Sequence, residues 1–168
     1  MGELKFLEKY GGQSLEDLFA MERTHRVDSL VLAMESALGR KQARKKSKPL
    51  SAEERIILVV EALEREVNNG GYEQFFTNSS CVYAGEVEDA LKRIGCAKQS
   101  GIAKRAVAAL KLKGTLTPKA VEKALGAGGE RLSERLGALD DAYYACDEPI
   151  EEKLFAFAKA NRATIHLR

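Results

Sequence analysis

The sequence has no tryptophan, only three prolines, three cysteines and two histidines among its 168 residues. Cys81, Cys96 and Cys146 are an odd number and form no CxxC pair, so neither a disulfide framework nor a zinc site is indicated. His25 and His166 lie near opposite ends of the chain and belong to no HExxH motif or carboxylate–histidine group. We therefore expect neither a metal nor a cofactor.

Long apolar runs are missing as well. The sequence contains no stretch of about eighteen apolar residues, and its N-terminus lacks the apolar core of a secretion signal. We therefore expect a cytoplasmic protein with no membrane association. The length fits one domain that can bury a substantial core.

What the sequence does contain is a succession of apolar positions at helical spacing. Ser51 begins the clearest helix, with Glu54 placed to complete a capping box and an apolar stripe that runs to Val67. In this helix we expect Glu61, Glu64, Arg65 and Glu66 to face water. No sustained two-residue alternation and no long heptad run occur. The sequence predicts an all-α, single-domain helical bundle of about six to eight helices with an N-terminal helical extension.

Breaks in the pattern predict how the chain is divided. The expected parts are an N-terminal helical extension over residues 1–39, a basic linker over 40–50, a helical domain over 51–162 and a tail over 163–168. Gly39 is expected to end the helix before the linker, and Pro49 closes the linker. Further along, Thr117-Pro118 predicts a short helix as far as Leu125, followed by a flexible joint at 126–129.

One stretch departs from the helical rhythm with an unusual set of residues. It reads Asn68-Asn69-Gly70-Gly71-Tyr72-Glu73-Gln74-Phe75-Phe76. Two glycines after two asparagines are typical of a helix end with left-handed backbone, and the three rings that follow at helical spacing share one apolar face. The stretch therefore predicts a corner near Val67 that aims the rings into the core. The alternative is a small pocket lined by the neutral polar side chains of Asn68, Asn69, Gln74, Asn78, Ser79 and Ser80.

The same stretch carries a family resemblance. The run NNGGYEQFFTNSS resembles the NGG(F/Y)-x-QFF-x-N signature of a bacterial family of unknown function whose named member is a DNA-mimic protein. The resemblance extends upstream to Ser51 and downstream through Leu139 to Tyr144, and leaves the first fifty residues outside it. It implies an all-helical fold, no assigned catalytic activity and, for the mimic member, binding to a DNA-binding protein in place of DNA.

The net charge of +2 conceals segregated acids and bases. A DNA mimic must spread carboxylates so that they imitate the phosphates of a duplex, and here the acids are balanced by bases. Mimicry therefore remains an alternative restricted to one candidate acidic patch. This patch comprises Glu61, Glu64, Glu66, Asp140, Asp141, Asp147 and Glu148.

Residues 40–48 and 97–119 carry bases and no acid, which makes nucleic-acid binding a second alternative. Its candidate residues are Lys45, Lys46, Lys98, Lys104, Arg105 and Lys111. Against it stand the lack of aromatic residues within the basic run at 40–48 and the lack of a recognition motif.

Catalysis has one candidate nucleophile. Cys81 follows Ser79-Ser80 near the start of a predicted helix, where the helix dipole lowers a thiol pKa, but no histidine is placed in sequence to activate it. We therefore expect a non-enzymatic protein-interaction module. Its partner is another protein or a second copy of the chain.

Overall fold

The computed structural model describes residues 3–44, 49–114 and 116–168. These residues form seven α-helices, two short 3₁₀ helices and one isolated bridge between Lys5 and His25. The α-helices are α1 (Leu15–Ala20), α2 (Val27–Ala43), α3 (Ala52–Thr77), α4 (Val87–Arg93), α5 (Ala97–Ala109), α6 (Pro118–Tyr144) and α7 (Ile150–Ala160), and the 3₁₀ helices are Met21–Arg23 and Ser79–Tyr83. The predicted all-α fold of six to eight helices in a single helical domain is confirmed. None of the helices in the described ranges combines the length and apolar character that crossing a bilayer requires.

The chain groups into two compact units, and the first is formed by Met1–Glu61 and Pro149–Arg168. Its α1 begins with a capping box, in which the Asp17 backbone N–H donates to Ser14 Oγ and the Ser14 N–H donates to Asp17 Oδ2. Helix α2 packs against α7, and the ring of Phe19 meets that of Phe155 edge-on at 5.5 Å between centroids. The core of this unit includes Leu18, Leu30, Val31, Met34, Leu38, Leu154 and Phe155.

Helix α2 continues past Gly39 to Ala43, so the prediction that Gly39 ends it is wrong. The reason is a buried ion pair. Lys41 Nζ donates to both carboxylate oxygens of Glu54, at 2.7 and 2.9 Å, and to the backbone carbonyl of His166 at 2.8 Å. Glu54 also accepts the N–H of Ser51, which completes the predicted capping box at the start of α3, and the N–H of His166. The start of α3, the end of α2 and the C-terminal residues therefore share one polar cluster.

The second unit is Ala62–Glu148 and contains the rest of α3 with α4, α5 and α6. Helix α4 packs against α5, α5 packs against α6, and α6 contacts the 3₁₀ helix Ser79–Tyr83. Small buried residues on α5, namely Ala103, Ala106 and Ala109, permit the close approach of neighbouring helices.

Helix α6 is longer than the sequence predicts. Thr117 caps it by accepting the N–H of Ala120, and Pro118 occupies its first turn as expected. The predicted end at Leu125 is wrong, because the helix runs on through Gly128. The predicted joint at 126–129 is narrowed to Gly129, which alone has non-helical backbone, with φ 52° and ψ −154°, and the helix then continues to Tyr144.

Helix α3 is buried on nearly every side from Ile56 to Leu63. The expectation that its glutamates face water is therefore wrong for Glu61, Glu64 and Glu66, whose exposed fractions are 2%, 8% and 7%, while Arg65 is exposed as predicted. A stretch of helix enclosed on nearly every side has no broad solvent face, so most of its polar side chains lie against protein.

Candidate functional site

The glycine corner, residues 68–80, is where α3 departs from helical geometry. Gly70 has φ −164° and ψ 27°, Gly71 has φ 73° and ψ −174°, and the helix then continues to Thr77. The Gly71 conformation is essentially restricted to glycine, and a Cβ at this position would overlap the carboxylate of Asp140. That carboxylate accepts the N–H of Tyr72 at 2.7 Å. Close approach to Asp140 therefore fixes the turn.

The three rings of the corner are buried, as predicted. Tyr72, Phe75 and Phe76 are all almost completely enclosed. Phe75 meets Phe76 at 5.3 Å between ring centroids, and Tyr72 meets Tyr143 of α6 edge-on at 6.0 Å. Because an aromatic side chain of this size removes about 150–250 Å² from water, the rings anchor the corner in the core of the second unit.

Glu66 is the centre of the polar side chains at the corner. Its Oε2 accepts from Gln74 Nε2 at 2.9 Å and from Asn78 Nδ2 at 2.7 Å, and its Oε1 accepts from Ser80 Oγ at 2.9 Å. These are three of the side chains that the sequence offered as a pocket lining. The structure places their donors on one buried carboxylate, while Asn68, Asn69 and Ser79 are exposed.

Two opposing effects set the pKa of Glu66. Burial alone raises it, since a charged carboxylate loses solvation. The hydrogen bonds from Gln74, Asn78 and Ser80, together with the charge of Arg65, outweigh burial, so the pKa lies below the usual value of a glutamate. The corner therefore holds an ionised carboxylate.

The thiol of Cys81 lies beside the corner in the 3₁₀ helix Ser79–Tyr83. It is buried, and burial raises its pKa, so the predicted lowering by a helix dipole is wrong. A helix of five residues has little dipole with which to oppose the loss of solvation. Cys96 is buried too, as expected for free thiols, whereas Cys146 is half-buried.

A cavity of about 640 Å³ opens next to this thiol. We call it the Cys81 groove. Its apolar lining comes from Phe76, Cys81, Pro118 and Leu125, and Lys119 and Glu122 of α6 also line it. Its remaining lining residues are Thr77, Asn78 and Ser79, so two of the polar side chains predicted to line a pocket do border this groove. It offers both apolar and polar contact area, and no histidine lines it to activate the thiol.

The candidate acidic patch is not assembled at the surface. Glu61, Glu64 and Glu66 are buried, and Asp140 is half-buried against the corner, where burial raises its pKa despite the opposing hydrogen bond from Tyr72. Asp141 is exposed.

The remaining two acids of the patch contact the start of α5. Asp147 pairs with Lys98 at 2.6 Å, and Glu148 accepts the backbone N–H groups of Lys98 and Gln99. Glu148 thereby caps a helix that its own N-cap residue, Cys96, does not cap with its side chain. Among the described residues, no group of histidine, cysteine or carboxylate side chains is arranged to hold a metal ion.

The candidate basic residues divide into three groups. Lys45 and Lys46 lie outside the described residues. Lys98 pairs with Asp147 and Lys104 pairs with Glu88 at 3.1 Å, so part of their charge is already neutralised. Arg105 and Lys111 are exposed.

Lys111 belongs to a second cavity, of about 510 Å³, at the end of α5. We call it the basic groove. Its apolar lining is formed by Ala109, Leu110, Ala124, Ala127 and Leu132, and its charged lining by Lys111, Arg131, Glu134 and Arg135. The groove lies at the break in α6, with Gly128 among its lining residues.

Sequence reasoning gives no prediction of the basic groove or of the role of Glu66. For the groove, the available signal is Arg131 and Arg135 one helical turn apart, with Leu132 between them, two residues after a pair of glycines. For Glu66, eight to fourteen residues separate the carboxylate from its three donors, and no local pattern connects them.

The comparisons with known proteins bear on this part of the chain. Residues 48–161 match the family described as DMP19-like protein. Searches of curated proteins and of solved structures found no match. The matched range covers well over half of the chain and includes the glycine corner, Asp140 and both grooves. The chain therefore belongs to the DMP19-like protein family.

Proposed function

We propose that this protein is a protein-interaction module without catalytic activity of its own, and that it binds through the second unit. The observation that carries the proposal is the exposure of α6 from Pro118 to Gly128. In this segment only Val121 is buried, and the segment borders both the basic groove and the Cys81 groove. Cavities of this size with apolar linings are typical of binding sites.

The chemistry at the glycine corner supports binding over turnover. Three of the polar side chains there, Gln74, Asn78 and Ser80, donate to Glu66, and the thiol of Cys81 has a raised pKa. The second unit also contains no histidine in its sequence. A thiol in this setting is not activated, and no histidine of the second unit can accept its proton.

DNA mimicry receives less support. With its three glutamates buried, the acidic patch is reduced to Asp141 and the ion-paired Asp147 as exposed members. Two carboxylates do not reproduce the regular charge spacing of a duplex. Nucleic-acid binding stays a candidate because Lys111, Arg131 and Arg135 are exposed together in one groove.

Affinity capture with the full-length chain tests the proposal. We expect a retained protein that stays bound after nuclease treatment and is not released by added duplex DNA. Release by nuclease would indicate nucleic-acid binding, and competition by DNA would indicate mimicry. Sedimentation of the purified chain tests whether the partner is a second copy.

A matched pair of variants locates the surface. Ala124→Glu places a long charged side chain among the apolar residues that line the basic groove, whereas Ala138→Glu places the same side chain on an exposed position of α6 outside both grooves. We expect the first to lose the captured protein and the second to keep it. Equal capture by both variants would place the interaction elsewhere.

A further inference from the structure

We propose that the basic groove binds an acidic segment of a partner protein that also carries apolar side chains, an inference that rests on the proposed interaction function. The groove combines two features that select such a ligand. One is a contiguous apolar floor, and the other is a net positive charge around it.

The floor consists of Leu110 at the end of α5 and of Ala124, Ala127 and Leu132 on α6. Alanines leave a shallow depression, because they fill little of the space between the two helices. The break at Gly129 separates Ala127 from Leu132, so that the floor is formed by parts of α6 on both sides of a bend. A cavity of about 510 Å³ accommodates a few apolar side chains and is much smaller than a folded partner.

The charge around the floor comes from Lys111, Arg131 and Arg135, against the single acid Glu134. None of the three cations forms an ion pair with a residue in the described part of the chain, in contrast to Lys98 and Lys104. Arg131 and Arg135 are one turn apart on α6, with about 5–6 Å between their Cβ atoms. Paired guanidinium groups at this spacing match two carboxylates of one segment, and each arginine can form a bidentate bond.

The apolar floor distinguishes a peptide from a nucleic acid. Phosphates would pair with the three cations, but a nucleic-acid backbone brings no apolar group to cover Ala124 and Ala127, which remain accessible beside the buried Leu110 and Leu132. A segment with both carboxylates and leucine-like side chains satisfies the charges and removes the floor from water. The complementary partner is therefore an acidic, amphipathic segment.

The test selects ligands from random twelve-residue peptides displayed on phage, with the full-length protein as bait. We expect the selected peptides to combine Asp or Glu with large apolar residues. Their affinity should fall by at least about tenfold in the double variant Arg131→Glu, Arg135→Glu, since like charges then face each other. It should also weaken as salt is raised, because the cations are exposed.

The control is the double variant Lys113→Glu, Lys123→Glu. It changes the net charge equally at two exposed lysines that do not line the basic groove. We expect it to bind the selected peptides as the wild type does, and circular dichroism should show unchanged helicity in both variants. Equal weakening of peptide binding in both variants would show that binding depends only on net charge and would overturn the inference.

Other outcomes overturn the inference without touching the proposed function. Selection of peptides without acids, or of none at all, would show that the groove does not recognise this chemistry, while a nuclease-resistant protein partner could still be captured. Tighter binding of a twelve-nucleotide single strand than of any peptide would assign the groove to nucleic acid. Failure of the wild-type chain to capture any protein in the affinity experiment would instead count against the interaction function itself.

Discussion

Glu66 and Gly71 stabilise the same turn, at the glycine corner, for different reasons. Glu66 collects three donors that would otherwise lack a buried acceptor, and Gly71 leaves room for Asp140. The first contribution depends on charge, and the second depends on the absence of a side chain. The two are therefore separable by substitution.

Replacement of Gly71 should be among the most destabilising single changes in the second unit. Gly71→Ala combines a backbone conformation reserved for glycine with overlap against Asp140, and we expect a loss of about 3 kcal/mol or more in the free energy of unfolding. Gly95→Ala is the matched control, since Gly95 also has positive φ but open space around it, and it should cost only about 1–2 kcal/mol. Chemical denaturation measures both. Equal losses would mean that contact with Asp140 contributes nothing.

The charge on Glu66 predicts a pH dependence. Because its folded-state pKa is lowered, its contribution to stability is fully present above the unfolded value of about 4.5 and is lost as the pH falls through the folded pKa. Glu66→Gln should lower the free energy of unfolding by about 1–3 kcal/mol at neutral pH. The new amide group would point its own N–H donors at a side chain that now donates to Glu66, so at least one hydrogen bond would be lost. The deficit of this variant relative to the wild type should shrink below pH 4.5.

Denaturation of both proteins across this pH range gives the comparison. Glu73→Gln is the control, since Glu73 is exposed on the same corner and no hydrogen bond of its side chain would be lost. A deficit that stays constant with pH would contradict the assignment of an ionised Glu66 as the acceptor.

At the scale of the elements, α3 and α6 show what the spacing of apolar residues and glycines in the sequence does not predict. The apolar stripe of α3 correctly predicts a helix, and Ser51 and Glu54 correctly predict its capping box. The same stripe wrongly predicts that three glutamates face solvent, because neighbouring residues enclose this part of the helix. In α6 the cluster of glycines suggests a joint, whereas three of its four residues are helical. Glycine tolerates both conformations, so composition cannot say which glycine bends.

Two substitutions in α6 should have opposite signs. Gly129→Ala forces a side chain into non-helical, positive-φ backbone and should cost about 1–3 kcal/mol. Gly126→Ala lies in regular helix with open space around it and should stabilise by about 0.5–1 kcal/mol. Thermal and chemical unfolding of the two variants gives the comparison. Stabilisation by both would show that α6 runs straight through Gly129 in solution.

At the scale of the whole molecule, a buried ion pair connects distant parts of the sequence. Within the first unit, Lys41 and Glu54 join the end of α2 to the start of α3 and bind the backbone of His166. The C-terminal residues Ile165 and Leu167 are buried in the same unit. A segment that reads as a basic linker and another that reads as a tail therefore both contribute to a core.

Removal of one partner tests this arrangement. Lys41→Met leaves Glu54 buried without its cation and should cost about 3–5 kcal/mol. Adding Glu54→Gln should recover part of that loss, since the uncompensated charge is then gone. Lys9→Met, at an exposed lysine of the same unit, should be close to neutral. Equal unfolding free energies for the Lys41 and Lys9 variants would rule out a structural role for the pair.

The amino-acid sequence was enough to predict the all-helical fold, the caps at Ser51 and Thr117, the burial of the corner rings and the family. These depend on residues within a few positions of each other, where spacing and backbone preference act directly. Only the tertiary structure decided which carboxylates are buried, which glycine bends α6, and where Lys111, Arg131 and Arg135 meet an apolar floor. Those outcomes depend on residues far apart in the chain, and the energy of a buried charge or an exposed groove is fixed by what packs around it.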